Sequence, residues 1–463
     1  MRLAAPRPRR LPAVFPPRRG ARCDKTEGVT TDPVTSDLLA FLGASPTPYH
    51  AVASAEERLG GAGFRPLDER EAWKSLAGGR FYVTRSDGAI VAFVLPKSGV
   101  VSGFRIVGAH TDSPNLRLKP QPSYEKHGYR QLGVEVYGGA LLNSWLDRDL
   151  GVSGRVIVRD GEKLRTRLVR VDRPIARVAQ LAIHLDREVN ERGVVLNRQE
   201  HLPPILGLAA DGADTIDRVV ARELGVDAGA IVSSDLMLHD VVAPTLGGVD
   251  EEFVFSGRLD NLAMSHAATR AIIDAAPSVD GGDVAPIAVL FDHEEVGSAT
   301  ASGAGAPLLP AILERILLDL GAARGDYHRA IARSVCVSAD MAHALHPNYA
   351  DRHEARHRPV LNGGPVIKSN AQQRYATCAR TGAIFGELCR SAGVSVQHYA
   401  HRTDLPCGST IGPITATLMG IRTVDVGNPM LSMHSIRELC GARDPAQMTT
   451  VLARFFTSAD AFE

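Results

Sequence analysis

The spacing of hydrophobic and polar positions changes along this chain and divides it into regions. Near the N-terminus, SDLLAFLGA and AVASAEERL carry apolar residues at helical spacing, and Ser36 is placed to cap the first of them. The runs FYVTR and AIVAFVL flank the turn sequence Ser86-Asp87-Gly88 and predict a hairpin. This hairpin leads into the apolar strand FRIVGA.

The middle of the chain is dominated by short strand patterns such as GVEVYGG and GRVIVRD, and Asp160-Gly161 offers a hairpin turn. After residue 250, the strand patterns EFVFSG, IAVLFD, SVCVSAD and TVDVGN alternate with helical ones. This order predicts an α/β fold, with a mixed, largely parallel sheet covered by helices. We assign residues 35–114 and 246–463 to that discontinuous domain and residues 115–245 to an inserted β-rich domain.

Composition narrows the classes of partner and compartment. Of the 463 residues, 44% are hydrophobic, which is enough for a sizeable core. Basic and acidic residues balance at 52 each, and no apolar run approaches the roughly 20 residues that span a bilayer, so we expect neither nucleic acid nor a membrane as partner. Six cysteines without a C-x-x-C pair or a secretory segment argue against disulfides and a thiolate zinc site, and favour the cytoplasm.

Residues 1–34 are rich in proline and arginine and contain no acidic residue before Asp24, so we predict a disordered N-terminal extension. A transit peptide has a similar composition, but interspersed prolines break the amphipathic helix that such signals need. A misassigned start codon explains the segment equally plainly.

Acidic and histidine residues gather where predicted strands end, which is where open α/β sheets collect functional residues. The clusters are GAHTDSP with His110 and Asp112, SGRLDN with Asp260, DHEEVGS with Glu294 and Glu295, and the pair SADMAH and MLSMHS with Asp340 and His434. Taken singly, each has a plain alternative. The histidines could be hydrogen-bonded loop or core residues, the second cluster could hold a helix N-cap, and the third could be a solvated loop.

Together the clusters supply what two divalent ions about 3.5–4 Å apart require: a bridging carboxylate, terminal carboxylates and imidazoles, and a free base. Carboxylates packed together cost several kcal/mol unless a cation takes their charge. Imidazole and carboxylate ligands without cysteine favour Zn²⁺, with Mn²⁺ or Co²⁺ able to substitute. The candidate ligands are His110, Asp260, Glu295, Asp340 and His434, and Glu294 is left over as the base.

The motifs GAHTDSPNLRLKP, SGRLDNL, DHEEVGS, SADMAHALHPNY, PVIKSNAQQRY and MLSMHSIRE resemble, in that order, those of the aspartyl aminopeptidase family of dinuclear zinc metallopeptidases. The resemblance covers residues 36–463 and implies a zinc-peptidase-like domain that hydrolyses N-terminal Asp or Glu from peptides. It implies a bridging hydroxide as nucleophile. The implied roles are His110 and Asp340 on one metal, Glu295 and His434 on the other, Asp260 bridging both, Glu294 as general base and Asp112 orienting His110.

The resemblance also implies residues for substrate binding and assembly. Lys368, the only lysine after Lys163, suits an acidic substrate side chain, although it could be an incidental surface lysine. Tyr375 and Met433, in neighbouring motifs, are assigned to substrate binding in the same way. The family's β-rich domain mediates dimerisation within a homo-oligomer, a dodecamer built from dimers. His184 would then complete a neighbour's active site, or it could equally be a core histidine.

Two other functions stay open. The chain could be a broad or neutral-residue metalloaminopeptidase, which keeps the fold and changes the pocket. It could also be a non-catalytic, shell-forming homologue. The intact set of ligands and base argues against the second, because loss of function would usually have damaged at least one of them.

Overall fold

The computed structural model describes residues 32–279 and 281–458. Residues 1–31, which hold most of the predicted N-terminal extension, lie outside this part. None of the described helices has the length and apolar composition needed to cross a membrane. The α-helices are α1 Pro33–Ala44, α2 Pro48–Gly61, α3 Val189–Arg192, α4 Ile216–Leu224, α5 Leu259–Ala275, α6 Leu308–Asp319, α7 Arg324–Arg333, α8 Ala379–Ser391, α9 Ile411–Met419 and α10 Asp444–Thr457.

The strands form three sheets. Their bounds are β1 Arg65–Pro66, β2 Arg80–Arg85, β3 Ala89–Val94, β4 Gly103–His110, β5 Asn115–Lys126, β6 Tyr129–Tyr137, β7 Leu150–Asp160, β8 Lys163–Ala176, β9 Ile205–Leu208, β10 Ile231–Asp240, β11 Thr245–Gly247, β12 Phe253–Ser256, β13 Val284–Phe291, β14 Val335–Ala339, β15 Ala342–His343, β16 Val366–Ser369, β17 Gln397–Ala400, β18 Arg422–Gly427, β19 Pro429–Leu431 and β20 Glu438–Gly441.

The largest sheet has nine strands in the order β1-β2-β3-β13-β4-β14-β18-β16-β17. Its central strands β13, β4, β14 and β18 are mutually parallel, whereas β3 and β16 join them in antiparallel orientation. The sheet is therefore mixed, and the predicted α/β class is confirmed.

Both faces of this sheet are buried. Along β4, Val107 and Ala109 pack into a core shared with α5 and α10, whereas Phe104 and Ile106 pack into a second core shared with α6. A strand buried on both faces is apolar throughout rather than alternating, which explains the run FRIVGA. Full burial contributes roughly 1.5–3 kcal/mol per large apolar side chain, so these strands hold the site on a rigid support.

A six-stranded sheet, in the order β8-β7-β10-β5-β6-β9, is antiparallel at each pairing. It is formed within residues 115–240 and has its own core around Trp145, Leu150 and Val152. Strands β7 and β8 form a hairpin around Gly161, as the sequence predicts. The described residues nevertheless belong to one compact unit, and the role of this segment in dimerisation stays a prediction.

A small five-stranded sheet has the order β11-β12-β20-β19-β15. It joins distant parts of the chain, since Phe253 of β12 pairs with Gly441 of β20. The loop after β12 and the loop after β19 therefore begin on the same small sheet.

The first helix begins earlier than the sequence analysis expected. Helix α1 starts at Pro33, and Asp32 is its N-cap, since the Asp32 side chain accepts a hydrogen bond of 2.8 Å from the backbone N–H of Val34. Ser36 lies inside the helix, so the prediction that Ser36 is the cap is wrong. An aspartate followed by proline at the first helical position is a strong start signal, and it overrides a serine further along.

Candidate metal and active site

His110, the last residue of β4, is 1% exposed and stands at the centre of the site. Its Nδ1 donates a hydrogen bond to the carbonyl oxygen of Asp112 at 3.0 Å, so in the neutral imidazole Nε2 is the nitrogen available as a ligand. Nε2 lies 3.7 Å from Oδ1 of Asp260, 3.8 Å from Oδ1 of Asp340 and 4.0 Å from Oε2 of Glu294. Three carboxylates therefore surround one face of this imidazole.

Asp112 is fully buried and ties two parts of the site together. Its Oδ1 lies 3.3 Å from Nδ1 of His110, so its side chain also faces the imidazole. The backbone N–H groups of Glu294 and Glu295 donate to its two oxygens at 3.1 and 3.0 Å, and the Tyr137 hydroxyl donates at 2.7 Å. Asp112 thus holds the loop after β13 against His110.

The carboxylate of Asp260 lies between two imidazoles. Its Oδ1 faces His110, and its Oδ2 lies 3.3 Å from Nε2 of His434, which is also 3.5 Å from Oε2 of Glu295. Asp260 has non-helical dihedral angles at the start of α5, and its buried Oδ1 has no hydrogen-bond partner among the described residues. These features are not those of a helix cap.

The six-stranded sheet also reaches the site through the end of β6, a contribution that the sequence analysis missed. The carbonyl oxygen of Gly139 accepts a hydrogen bond of 3.1 Å from Nδ1 of His434, which frees Nε2 to face Asp260. A Cβ on Gly138 would lie 3.0 Å from Cβ of Glu295. The detectable signal was the Gly-Gly pair directly after the strand pattern VEVY.

Glu438, on β20, is a second residue that the sequence analysis missed. It is 2% exposed, and its two oxygens accept hydrogen bonds from the backbone N–H of His434 at 2.7 Å and of Asp260 at 3.1 Å. One carboxylate therefore sets the relative position of two candidate ligands from distant parts of the chain. Its place four residues after His434, in MHSIRE, gave no hint of this role.

The electrostatics of the site reflect an excess of negative charge. Burial raises the pKa of Glu295 well above its usual range, and the charge of Asp260 raises it further. Burial alone would lower the pKa of His434, but its hydrogen bond to Asp260 and the charge of Glu295 raise it to about 10. In the same way, the carboxylates of Asp112 and Asp340 outweigh burial and raise the pKa of His110 well above its usual range. The site favours bound positive charge.

The geometry fits a divalent cation. The ligand atoms of His110, Glu294 and Asp340 all lie within 4.8 Å of one another, and so do those of His110, Asp260 and Glu295. The buried Oδ1 of Asp260 and Oε1 of Glu295 have no hydrogen-bond partner among the described residues. Buried carboxylate oxygens without partners are costly, and a zinc-type ion that accepts oxygen and nitrogen ligands would satisfy them.

These side chains open into a cavity of about 240 Å³. Three predicted substrate-binding residues, Lys368, Tyr375 and Met433, line it. His343, which the sequence analysis did not select, lines it as well. The complete lining is His110, Asp260, Glu294, Glu295, Asp340, Met341, His343, Lys368, Tyr375, Gly408, Ser409, Thr410, Met433 and His434.

Lys368 is buried rather than a surface lysine, with 2% exposure. Its ammonium donates to the carbonyl oxygens of Asp340 and Met341 at 2.8 and 3.2 Å and lies 3.6 Å from Oδ2 of Asp340. It also stands over the ring of Tyr375, 5.2 Å from the centroid. Lys368 thus faces the cavity while it neutralises part of Asp340.

His184 is not brought to this cavity within the chain. It lies in the segment between β8 and α3, where it is exposed, as are its neighbours Ile183 and Leu185 at 46% and 74%. The alternative of a core histidine is therefore wrong. Its place at a neighbour's site stays a prediction.

Comparison with known proteins gives a consistent result. Residues 41–456 match the family model described as aminopeptidase I zinc metalloprotease (M18). The chain is 50% identical over 423 residues to a probable M18 family aminopeptidase 2 of Streptomyces coelicolor, covering 91% of this chain and 97% of the relative. A protein of the same description from Pseudomonas aeruginosa strain UCBPP-PA14 is 50% identical over 430 residues, covering 91% and 98%.

Solved structures agree with this result. A cryo-EM structure of the Ape4 and Nbr1 complex superposes with a TM-score of 0.89 and 41% identity, covering 92% of this chain and 85% of that chain. The structure of the S. cerevisiae mApe1 dodecamer superposes with a TM-score of 0.80 and 30% identity, covering 92% and 96%.

Proposed function

This chain belongs to the M18 family of zinc metallopeptidases, and from that membership we propose that it is an aminopeptidase that removes Asp or Glu from the N-termini of peptides. The observation that supports catalysis most directly is the position of Asp260 between the imidazoles of His110 and His434. In our proposal two divalent ions, Zn²⁺ in the first place, are held there. The proposed ligands are His110 and Asp340 for one ion, Glu295 and His434 for the other, and Asp260 for both.

The reaction depends on a base that stands beside these ligands. When bound, the cations supply positive charge that polarises the scissile carbonyl and favours deprotonation of water. Glu294 accepts the proton from the attacking water and returns it to the leaving amine. Without bound cations, burial and nearby carboxylates raise the pKa of Glu294 to about 7. Bound cations would lower this pKa, which favours the ionised carboxylate that a base requires at neutral pH. Asp112 accepts the backbone N–H of Glu294 and so positions the base.

The proposed preference for acidic residues relies on Lys368. It is a buried cation at the wall of the cavity, and a carboxylate in a dry pocket requires such a partner. Its contacts with Asp340 and two carbonyl oxygens favour a second candidate, a neutral-residue aminopeptidase in which Lys368 only neutralises Asp340.

Release of the N-terminal residue from Asp-, Glu- and Leu-starting peptides tests the function. We expect cleavage that favours Asp and Glu, is abolished by chelation and returns with Zn²⁺ or Mn²⁺. A preference for Leu would support the neutral aminopeptidase, and no cleavage with any metal would support a non-catalytic homologue.

Lys368→Met separates the two aminopeptidases, because methionine keeps the length of the side chain and removes its charge. For an acidic pocket we expect the loss of most activity on Glu-peptides and a much smaller change on Leu-peptides. If Lys368 only neutralises Asp340, both peptides should lose activity equally, together with bound zinc.

Assembly is the last part of the proposal. The related mApe1 structure is a dodecamer, and the segment around His184 exposes apolar side chains, among them Leu181, Ile183 and Leu185. Exposed apolar clusters of this kind mark subunit contacts. We therefore propose a homo-oligomer, a dodecamer built from dimers, in which His184 enters the site of a neighbouring subunit.

A subunit-mixing experiment tests this arrangement. His184→Ala subunits keep their own Glu294, and Glu294→Gln subunits keep His184. We expect each variant alone to be inactive and a mixture, dissociated and reassembled, to regain part of the activity. No recovery in mixed oligomers, verified by mass, would contradict a shared site.

A further inference from the structure

Two irregular segments that line the cavity come from separate parts of the chain. Residues 370–378, which follow β16, carry Tyr375, and residues 401–410, which precede α9, carry Gly408, Ser409 and Thr410. Loops without helix or sheet hydrogen bonds need other partners to hold one conformation. Contacts with the rest of the fold must therefore hold both segments in place.

Asp425, in the middle of β18, contacts both segments. It is 0% exposed and does not line the cavity. Its Oδ2 accepts a hydrogen bond of 2.6 Å from the backbone N–H of Ala376, and its Oδ1 accepts one of 2.6 Å from the Thr410 hydroxyl. One carboxylate therefore holds one residue of each segment.

Further contacts make the arrangement rigid. The backbone N–H of Asp425 donates to the Thr377 hydroxyl at 2.9 Å, and the Ser409 hydroxyl donates to the carbonyl oxygen of Arg374 at 3.2 Å, which joins the segments directly. A Cβ on Gly412 would lie 2.4 Å from both Asp425 oxygens, so only glycine fits there. The surroundings are shaped around a carboxylate at this position.

We propose that Asp425 is a positioning residue for substrate recognition. It acts through Ala376, whose neighbour Tyr375 places its ring against Lys368, and through Thr410, a residue of the opposite segment. Asp425 does not line the cavity, and none of its hydrogen bonds among the described residues reaches a candidate metal ligand. It therefore affects how the N-terminal side chain fits and not the bond-breaking step. The inference rests on the proposed function, because it assigns this cavity to the substrate.

Three variants test the proposal. Asp425→Ala removes both acceptors. Asp425→Asn is the conservative variant, since its amide oxygen can accept from Ala376 while its NH₂ group donates to the Thr410 hydroxyl. Thr410→Val removes the contact with Asp425 and also the N-cap of α9, since the same hydroxyl accepts a hydrogen bond of 3.3 Å from the backbone N–H of Gly412. Thr410→Ser keeps a hydroxyl for both contacts and is the matched control. For each we would measure kcat and KM separately on the preferred peptide, the zinc content and the melting temperature.

For Asp425→Ala we expect KM to rise about tenfold or more, the scale of losing hydrogen bonds to a charged group, with kcat and zinc content nearly unchanged. Asp425→Asn should restore most of the KM, and Thr410→Val should raise KM by a smaller factor than Asp425→Ala. Thr410→Ser, which keeps the hydroxyl, should raise KM less than Thr410→Val does. A purely structural role would lower the melting temperature and the active fraction, which reduces kcat and leaves KM as it was.

The proposal is overturned if KM stays at the wild-type value in folded Asp425→Ala, or if kcat and zinc content fall instead. Should Asp425→Ala not fold, Thr410→Val decides, and an unchanged KM there overturns the proposal. A wild-type enzyme that prefers Leu-peptides would refute the acidic specificity, while the Asp425 inference is still judged by KM for the Leu-peptide.

Discussion

The aspartates of the six-stranded sheet and those of the candidate metal site have opposite charged surroundings. In the six-stranded sheet, Asp235 pairs with Arg117 and Arg155, and Asp240 pairs with Arg148. At the site, six carboxylates line the cavity or contact its candidate ligands, and Lys368 is the one permanent cation among the described residues of that set. The carboxylates are Asp112, Asp260, Glu294, Glu295, Asp340 and Glu438.

The difference separates structural from functional charge. Carboxylates paired with arginine are neutralised within the chain, so their geometry is complete without a ligand. Buried carboxylates without such partners are destabilising until a cation binds, so the chain keeps them at a cost in stability. The following changes probe this contrast.

The largest effect should come from the base. Glu294→Gln removes the proton acceptor and keeps the shape of the side chain, so we expect kcat to fall about 10²–10⁴-fold. Steady-state kinetics with a zinc assay measures this, and zinc content should stay near wild type because Glu294 is not among the proposed ligands. Asp235→Asn is the matched control. An equal loss of kcat in this variant would contradict the distinction between structural and functional carboxylates.

Chelation should destabilise the protein because it removes the cations from the candidate site, so the effect should depend on the proposed ligands. A ligand that binds only the folded state at 100 times its Kd contributes about 2.7 kcal/mol to the free energy of unfolding, so we expect a clear fall in melting temperature when zinc is removed. The fall should persist in Asp235→Asn and shrink in Asp260→Asn. An equal fall in both variants would place the ion elsewhere.

The chelated protein should also lose stability as pH rises. Burial raises the folded-state pKa of Glu438 to about 8 and that of Glu294 to about 7, above the unfolded value of 4.5. A raised pKa contributes stability that is present below pH 4.5 and is lost as pH rises through 7 and 8. We expect the melting temperature of the chelated protein to fall between pH 5 and 8, and zinc to abolish this dependence. The same slope with and without zinc would contradict the assignment.

Substitution of Glu438, which holds the backbone of two candidate ligands, should have a smaller effect, and that effect should be on zinc affinity. Glu438→Gln exchanges one of two acceptors for an NH₂ group, which cannot accept from the backbone N–H of Asp260 or His434. Loss of such outer contacts typically weakens metal binding about 10–100-fold, and we expect a change of that size in zinc titrations against a competing chelator. Glu252→Gln, at the residue directly before β12 and outside the site lining, is the control that should bind zinc as wild type does.

The smallest effect belongs to the six-stranded sheet. Asp235→Asn removes an ion pair whose carboxylate is 29% exposed, so screening limits the loss to about 1 kcal/mol in the free energy of unfolding. The pKa of Asp235 is raised by burial but lowered overall by Arg155 and Arg117, so this stability is present above the unfolded pKa and is lost in acid. Denaturant unfolding at pH 7 and at a series of lower pH values measures it, and a difference that does not shrink as pH falls below the unfolded pKa would contradict the ion-pair explanation.

Much of the fold and of the candidate site follows from short-range pattern. Strands buried on both faces are apolar throughout, and the hairpins at Gly88 and Gly161 carry turn residues between strand patterns. The sequence therefore predicts both the buried strands and the hairpins. The grouping of His110 and Asp340 was predictable because each lies at the end of a neighbouring strand of the large sheet.

The rest depends on contacts that sequence spacing does not encode. Two of the candidate ligands, Asp260 and His434, follow strands of the small sheet rather than the large one, and the sequence pattern could not assign β12 and β19 to a separate sheet. Glu438 and Gly139 act through backbone groups of distant residues, which leaves no periodic signal. His184 is exposed within one chain, so the role that we propose for it involves a second copy and cannot be seen in a single subunit.

The pairing of β12 with β20 has a consequence for synthesis of the protein. Asp260 and His434 are held together by Glu438, so a nascent chain has no complete site until residue 441 has left the ribosome and joined the sheet. Hydrolytic activity is thereby delayed until the rest of the described fold can form. A partly synthesised chain therefore cannot hydrolyse the peptides around it.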